Sequence, residues 1–308
     1  MHQILACSFF FGFQSSKIHS ESKILCPSPG YDRHFKLIEN FGIEMITIPF
    51  QDDGPDLNAI ETILKKEKNI DGIVCVPRHS NPTGHTYSDS NVRSMFKMFA
   101  PLNKNFMILW DNAYACHDLK ETIPQTNASI IAKEFNIEDN IFHFGSTSKM
   151  TLAGSGISFL SSSKENLDKF IDYRNSVTVG PNKMNQGLHV EYFKIMPIKQ
   201  QMQKMKEILL PKFEITDHYL TMLKDERFGN FSNPTGGYFF SYDSKKSNCE
   251  EIIDTCQKLN LKLLPPGSSF PYNNDPEKKN IRIAPTFPSN DELEKSMKIL
   301  TSVVKHLN

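Results

Sequence analysis

Lys149 closes the run Ser146-Thr147-Ser148-Lys149, collared by hydroxyl residues and followed by Gly154 and Gly156. The apolar stretch Ile141-Phe142-His143-Phe144 leads into it, so its amine is expected at the exit of a buried strand, facing a cleft. A partly desolvated lysine gives up its proton more readily, and the neutral amine is a nucleophile toward carbonyl carbon. Three further stretches end in reactive groups. Asn81 lies in Ser80-Asn81-Pro82-Thr83-Gly84, just after the apolar residues 72–76. Asp111 and Tyr114 follow the apolar residues 106–110. Arg282 sits inside the apolar segment 281–284, where a lone guanidinium is costly unless an anion pairs with it. Each group also has a plain structural reading: a solvated loop lysine, a turn at Asn-Pro, a helix cap at Asp111. Their order and their shared place at strand ends favour chemistry.

Such placement requires a particular scaffold. From residue 22 onward, short apolar strands at 23–26, 45–50, 72–76, 106–110, 141–144 and 157–160 alternate with amphipathic helices at 31–41, 57–68, 88–100, 127–135 and 164–173. Continuous apolar strands separated by helices predict a three-layer α/β/α arrangement around a mostly parallel sheet. Ligands of such sheets gather at the carboxyl ends of the strands. A long helix is expected over 186–224, followed by strands at 237–242, 261–264 and 281–284 and helices at 249–259 and 290–306. The pattern predicts a large domain over 1–190 and a smaller α+β domain over 191–308, divided within the long helix.

Composition narrows the partners. Among 308 residues, Lys+Arg and Asp+Glu both number 35, so no net basic charge favours nucleic acid or an anionic membrane. The six cysteines show no CxxC pairing and no metal-ligand spacing with histidine, which fits buried, reduced thiols in a cytoplasmic protein and no metal site. The apolar run 4–13 resembles a signal-peptide core, but no Lys or Arg precedes it and it is too short to span a bilayer. A buried helix is the expectation there.

An amine nucleophile, a carboxylate, a phenol, an amide and an arginine around one cleft suit pyridoxal 5'-phosphate, which needs a lysine to bond and an aspartate to keep its ring nitrogen protonated. The motifs S-N-P-T-G, D-N-A-Y and S-x-S-K, in that order, resemble the fold-type I pyridoxal-phosphate aminotransferases. The runs CPSPGYDRHF, VPRHSNPTG, WDNAYA, STSKMTLAGSG, GPNKMNQ, NPTGGYF and GSSFPYNNDP are similar to those of the divergent bacterial-type aspartate aminotransferases, over nearly the whole chain. The resemblance implies a transaminase acting on an amino acid, aspartate or glutamate, and a 2-oxo acid, and a homodimer if the N-terminus is complete. It implies that Lys149 bonds the cofactor and shuttles a proton, and that Asp111 pairs with the ring nitrogen with His34 behind it. Asn81 and Tyr114 would bind the ring oxygen, with Asn81 also at the substrate, while Tyr31 stacks on the ring. Ser146 and Ser148 would bind the phosphate, and Arg282 the substrate's α-carboxylate.

Two departures stand out. The family places an arginine shortly after the lysine to pair with the phosphate; here the stretch is Thr151-Leu152-Ala153-Gly154-Ser155-Gly156, so Ser155 and backbone amides are expected to substitute. The chain also begins inside what resembles the first helix of the large domain, without the family's preceding phosphate-binding loop, which marks it as an N-terminally truncated relative. The alternative is therefore an aminotransferase-like protein that binds cofactor weakly or not at all and does not catalyse. A DNA-binding regulator is excluded by the lack of a helix-turn-helix or basic stretch. Arg174, Asn182 and Lys183 are candidates for reading a side-chain carboxylate.

Overall fold

The computed structural model describes residues 1–13, 17–102, 106–122 and 124–308. The apolar N-terminal run forms α1 (His2–Phe11), with Ile4, Leu5 and Cys7 fully buried. There follow β1 (Lys23–Pro27), α2 (Asp32–Asn40), β2 (Glu44–Ile48), a short hairpin of β3 (Phe50–Gln51) and β4 (Gly54–Pro55), α3 (Leu57–Lys66), β5 (Ile70–Cys75), α4 (Asp89–Phe99), β6 (Met107–Asp111), α5 (Ala128–Glu134), β7 (Ile141–Ser146) and β8 (Ser158–Ser161). Six of these strands make one sheet in the order β2-β1-β5-β6-β7-β8, parallel throughout except for β7 against β8.

Alternate residues of the central strands feed two cores. Ile24, Cys26, Val74, Met107 and Leu109 pack with α1 and α2, whereas Leu25, Ile73, Cys75, Ile108 and Trp110 pack with α3, α4 and α5. Burial on both faces is why these strands read as unbroken apolar runs instead of alternating ones. Side-chain caps start the covering helices: Asp56 accepts from the amides of Asn58 and Ala59, and Ser88 from that of Asn91. From β1 the chain turns outward to β2, then returns on the other side at β5. That reversal opens a crevice beside the carboxyl ends of β1 and β5.

The C-terminal part comprises α6 (Lys164–Val177), α7 (Lys183–Ile195), α8 (Ile198–Asp225), β9 (Gly229–Phe231), β10 (Phe240–Ser244), α9 (Cys249–Lys258), β11 (Asn280–Ile283) and α10 (Asn290–Leu307). An antiparallel sheet in the order β11-β10-β9 packs with α8, α9 and α10 around a third core drawn from residues 209–304 and Leu119.

The expected helix over 186–224 is two helices. Pro197 has no N–H to donate and pushes Met196 out of helical geometry, to φ −127 and ψ 88. The expected strand at 261–264 does not form; Leu261 and Leu263 pack against the third core from an irregular segment, and Pro265-Pro266 withhold the donors that a strand needs there. The strand β9 and the β3–β4 hairpin were not foreseen. They are too short to show a period. All six cysteines are free; only Cys116 is exposed.

Candidate active site

Four parallel strands deliver their exits to one region. Tyr31 caps α2 just after β1, and its ring meets that of His34 edge-on, with centroids 4.9 Å apart. The buried His34 places Nε2 2.8 Å from Oδ2 of Asp111, the last residue of β6. A donor N–H there fixes the carboxylate and leaves its other oxygen for a second partner.

Lys149 lies one turn beyond β7. That turn is tied down by backbone bonds from Met150 and Thr151 to the Thr147 carbonyl and by the Ile157 amide donating to Thr147 Oγ1. From α7, His189 donates through Nδ1 to the Asn185 carbonyl at 2.9 Å, which leaves Nε2 as an acceptor 3.2 Å from the Thr147 hydroxyl. The Lys149 carbonyl accepts from the Tyr238 hydroxyl at 2.9 Å and faces His117 Nε2 at 3.3 Å. Its amine stands 5.8 Å over the Tyr238 ring. Burial pushes the Lys149 ammonium below the usual lysine range, and the guanidiniums of Arg33 and Arg282 add to the effect. Burial likewise raises the Tyr114 phenol, helped by nearby Tyr31, Asp111 and Tyr238, so it stays protonated and able to donate.

Ser146 Oγ donates to Ser148 Oγ at 2.7 Å and accepts from the Ser148 amide. Gly156 crosses so close that a Cβ would lie 2.1 Å from Ser148 Oγ, so only glycine fits. Ser155 meets α7 through its backbone carbonyl, which accepts from Asn185 Nδ2 at 2.7 Å. Arg282, from β11, donates through Nη1 to Asp32 Oδ1 at 3.0 Å and to Asn81 Oδ1 at 3.3 Å, and its guanidinium lies 5.4 Å from the Phe239 ring centroid. Asn81 thus keeps its amide N–H groups for another acceptor.

A cavity of about 610 Å³ is walled by Asp111, Ser146, Gly156, the first turn of α1, Arg174 and Asn182. Lys183 lies outside its walls, although it opens α7. A larger cavity of about 860 Å³ lies elsewhere, between Ser28-Pro29 and the C-terminal sheet at Asp243 and Lys279. The smaller one takes Asp111 and Ser146 into its wall, whereas Lys149, Tyr114, Asn81 and Arg282 do not line it. Its walls fit a phosphorylated pyridine: the Asp111 carboxylate for a ring N–H at one side, and the Ser146 hydroxyl for an anion. Its size lies within the ~300–1,000 Å³ usual for cofactor sites.

Sequence reasoning missed several contributors. Asp32, the partner of Arg282, stands between the two recognised residues Tyr31 and His34. Tyr238 and Phe239 follow a second N-P-T-G at 233–236, and that repeat was the available signal. His117, His189 and Asp118 carried no local mark. Among the described residues, no group of His, Cys, Asp and Glu is arranged to hold a metal ion, and no helix is long and apolar enough to cross a membrane.

Comparison with known proteins identifies relatives of the chain. The family profile described as aspartate amino-transferase matches residues 1–307. A Mycolicibacterium smegmatis protein named provisionally as an aminotransferase is 40% identical over 270 residues, 87% of this chain and 63% of its own length. The aspartate aminotransferase of Corynebacterium glutamicum is 37% identical over 309 residues, 96% of this chain and 70% of its own. The chain therefore spans about two thirds of the length of these relatives. A solved aspartate transaminase from C. glutamicum superposes with a TM-score of 0.91 at 34% identity, covering 100% of this chain and 75% of that one. The α-aminoadipate aminotransferase LysN of Thermus thermophilus, solved with N-(5'-phosphopyridoxyl)-L-leucine, shares the fold at a TM-score of 0.81 and 21% identity, covering 99% and 75% of the two chains.

Proposed function

The chain belongs to the aspartate aminotransferase family, and from that premise we propose that it is a pyridoxal-phosphate-dependent aminotransferase, moving an amino group from aspartate or glutamate to a 2-oxo acid. The observation that carries the reading is the His34–Asp111 pair, 2.8 Å apart, with Asp111 in the wall of a cofactor-sized cavity and Lys149, lowered below the usual lysine range by burial, at the next strand exit. Bound pyridoxal phosphate supplies the electron sink that lets a Cα proton leave.

The chain's own residues do the rest. Asp111, oriented by His34, pairs with the ring N–H and holds that proton in place. The Tyr114 phenol and the Asn81 amide donate to the ring oxygen, and Tyr31 covers one ring face. Ser146 and Ser148 would take the phosphate, with Ser155 at its margin. Lys149 Nζ, lowered below the usual lysine range by burial, would hold the cofactor and, once the substrate amine has displaced it, would take up and return the Cα proton. Arg282 grips the α-carboxylate. Exposed Val177, Val179, Met184, Leu188 and Ile195 form an apolar face on the α6–α7 side, consistent with a homodimer that covers it.

The test is visible absorbance of the protein with added pyridoxal phosphate. Wild type should gain the band that the cofactor acquires on condensing with a lysine amine, and should transaminate aspartate. Lys149→Ala should lose both while unfolding at nearly the same denaturant concentration. Borohydride-trapped cofactor at wild-type level in the variant would overturn the assignment.

A further inference from the structure

We propose that Asp32 is a place-holder for substrate: it serves as the counterion of Arg282 while no amino acid is bound, and gives way to the incoming α-carboxylate. The proposal rests on Arg282 being the α-carboxylate site. Its starting point is that the Arg282 side chain, 8% exposed on a strand of the C-terminal sheet, cannot stand unpaired. A guanidinium so enclosed favours an anion beside it, with the Asn81 oxygen and the Phe239 face as its other partners.

The pairing it has is incomplete. Nη1 alone is engaged, by Asp32 Oδ1 at 3.0 Å and Asn81 Oδ1 at 3.3 Å, while the buried Nε has no partner. An arginine satisfied by its own carboxylate makes two parallel N–H···O bonds. The idle edge therefore remains for a second carboxylate, and the guanidinium lies close enough to Lys149 and Tyr114 to bias both electrostatically.

Asp32 is suited to letting go. Its side chain is 36% exposed, and it lies in the first turn of α2, where unpaired amides and the helix dipole favour a carboxylate. On release it is met by water and by the helix start, so the exchange strands no charge. Swapping one carboxylate for another also keeps the guanidinium neutralised at every stage. The contact joins residues 250 positions apart. Substrate arrival therefore loosens a tie between the C-terminal sheet and the helix that carries Tyr31 and His34.

The experiment titrates succinate, an unreactive dicarboxylate, into wild type, Asp32→Asn, Asp32→Ala and Arg282→Leu by calorimetry, each with and without pyridoxal phosphate. Removing the competing carboxylate should tighten succinate binding by about fivefold to tenfold. Asp32→Ala, which cannot hydrogen-bond, should change affinity in the same direction, and Arg282→Leu should abolish binding. Weaker or unchanged binding in both Asp32 variants, with Arg282→Leu still inactive, would overturn the place-holder while leaving Arg282 as the carboxylate site. Wild-type binding by Arg282→Leu would move the carboxylate site elsewhere and end the proposal at its premise. The absorbance test of Lys149 is independent of both results.

Discussion

Arg78 is buried and the Arg282 side chain is largely enclosed, and each faces an aspartate, yet the two pairs are finished differently. Arg78 sets Nη2 2.6 and 2.7 Å from the two oxygens of Asp118, and His79 Nε2 reaches the same carboxylate at 2.8 Å. Burial alone would raise the Asp118 carboxyl; the hydrogen bonds from His79 and Arg78 outweigh it and hold the group below the usual range. This pair is also a seat for the C-terminal part. The amides of Leu119 and Lys120 donate to the Thr235 carbonyl, and Gly237 donates to His117. Gly236 passes so close that a Cβ would lie 2.2 Å from the His117 carbonyl oxygen. Arg282 reaches one oxygen of its aspartate where Arg78 reaches both, and its partner is the more exposed. A closed pair builds the scaffold that carries Tyr238 to Lys149. An open pair waits for a ligand.

If the closed pair is scaffold, breaking it should have the largest effect. Asp118→Ala leaves the Arg78 charge buried without its carboxylate, a change expected to remove about 3–5 kcal/mol of folding stability. A urea titration at neutral pH measures it. The same variant should loosen Tyr238 and weaken retention of pyridoxal phosphate, although Asp118 lies outside the proposed cofactor contacts.

The second effect is on pH dependence and belongs to the same seat. Burial holds His117 neutral, lowering its pKa from 6.5 to about 4. With the folded value below the unfolded one, stability is full above pH 6.5 and is lost as pH falls toward 4, because the unfolded chain takes up a proton that the folded chain refuses. The expected slope is at most about 1.4 kcal/mol per pH unit. His79, also lowered by burial, acts with the same sign. Denaturation midpoints at pH 7 and pH 4.5 for wild type and His117→Gln check this. The variant should show the smaller drop, and equal drops would assign the acid sensitivity elsewhere.

What could be read from sequence follows from the range of the interactions. The strands at 70–75 and 107–111 were visible because burial on both faces makes them continuous apolar runs, and Asp111 and Lys149 were visible because they terminate such runs. The family resemblance extended that reading to Tyr31, His34, Asn81 and Arg282. Contacts that cross the chain left no such trace: Tyr238 reaches Lys149 over 89 positions and Arg282 reaches Asp32 over 250. Periodicity reports which face of an element is buried, but it carries no information about what lies opposite. The break at Pro197 was a local signal, overridden in the reading by helical periodicity on both sides.

The smallest effect separates the two pairs most sharply. Asp32→Ala removes a carboxylate from Arg282 as Asp118→Ala removes one from Arg78, so equivalent pairs would lose equal stability. They are not equivalent in access. Asp32 is 36% exposed against 17% for Asp118, and Arg282 retains the Asn81 oxygen and the face of Phe239. A partner already reached by water contributes little, so the expected loss is about 1 kcal/mol or less. Succinate at about a hundred times its dissociation constant should then raise the stability of Asp32→Ala by about 2.7 kcal/mol, since it binds only the folded chain. The same concentration, which saturates an Arg282 still paired with Asp32 five to ten times less, should raise wild type and Asp118→Ala by only about 1.4–1.8 kcal/mol. Urea midpoints for the two variants, with and without succinate, decide the matter. A loss in Asp32→Ala as large as in Asp118→Ala, unrepaired by the ligand, would make Arg282–Asp32 a second structural pair and remove the distinction between the closed and the open arginine.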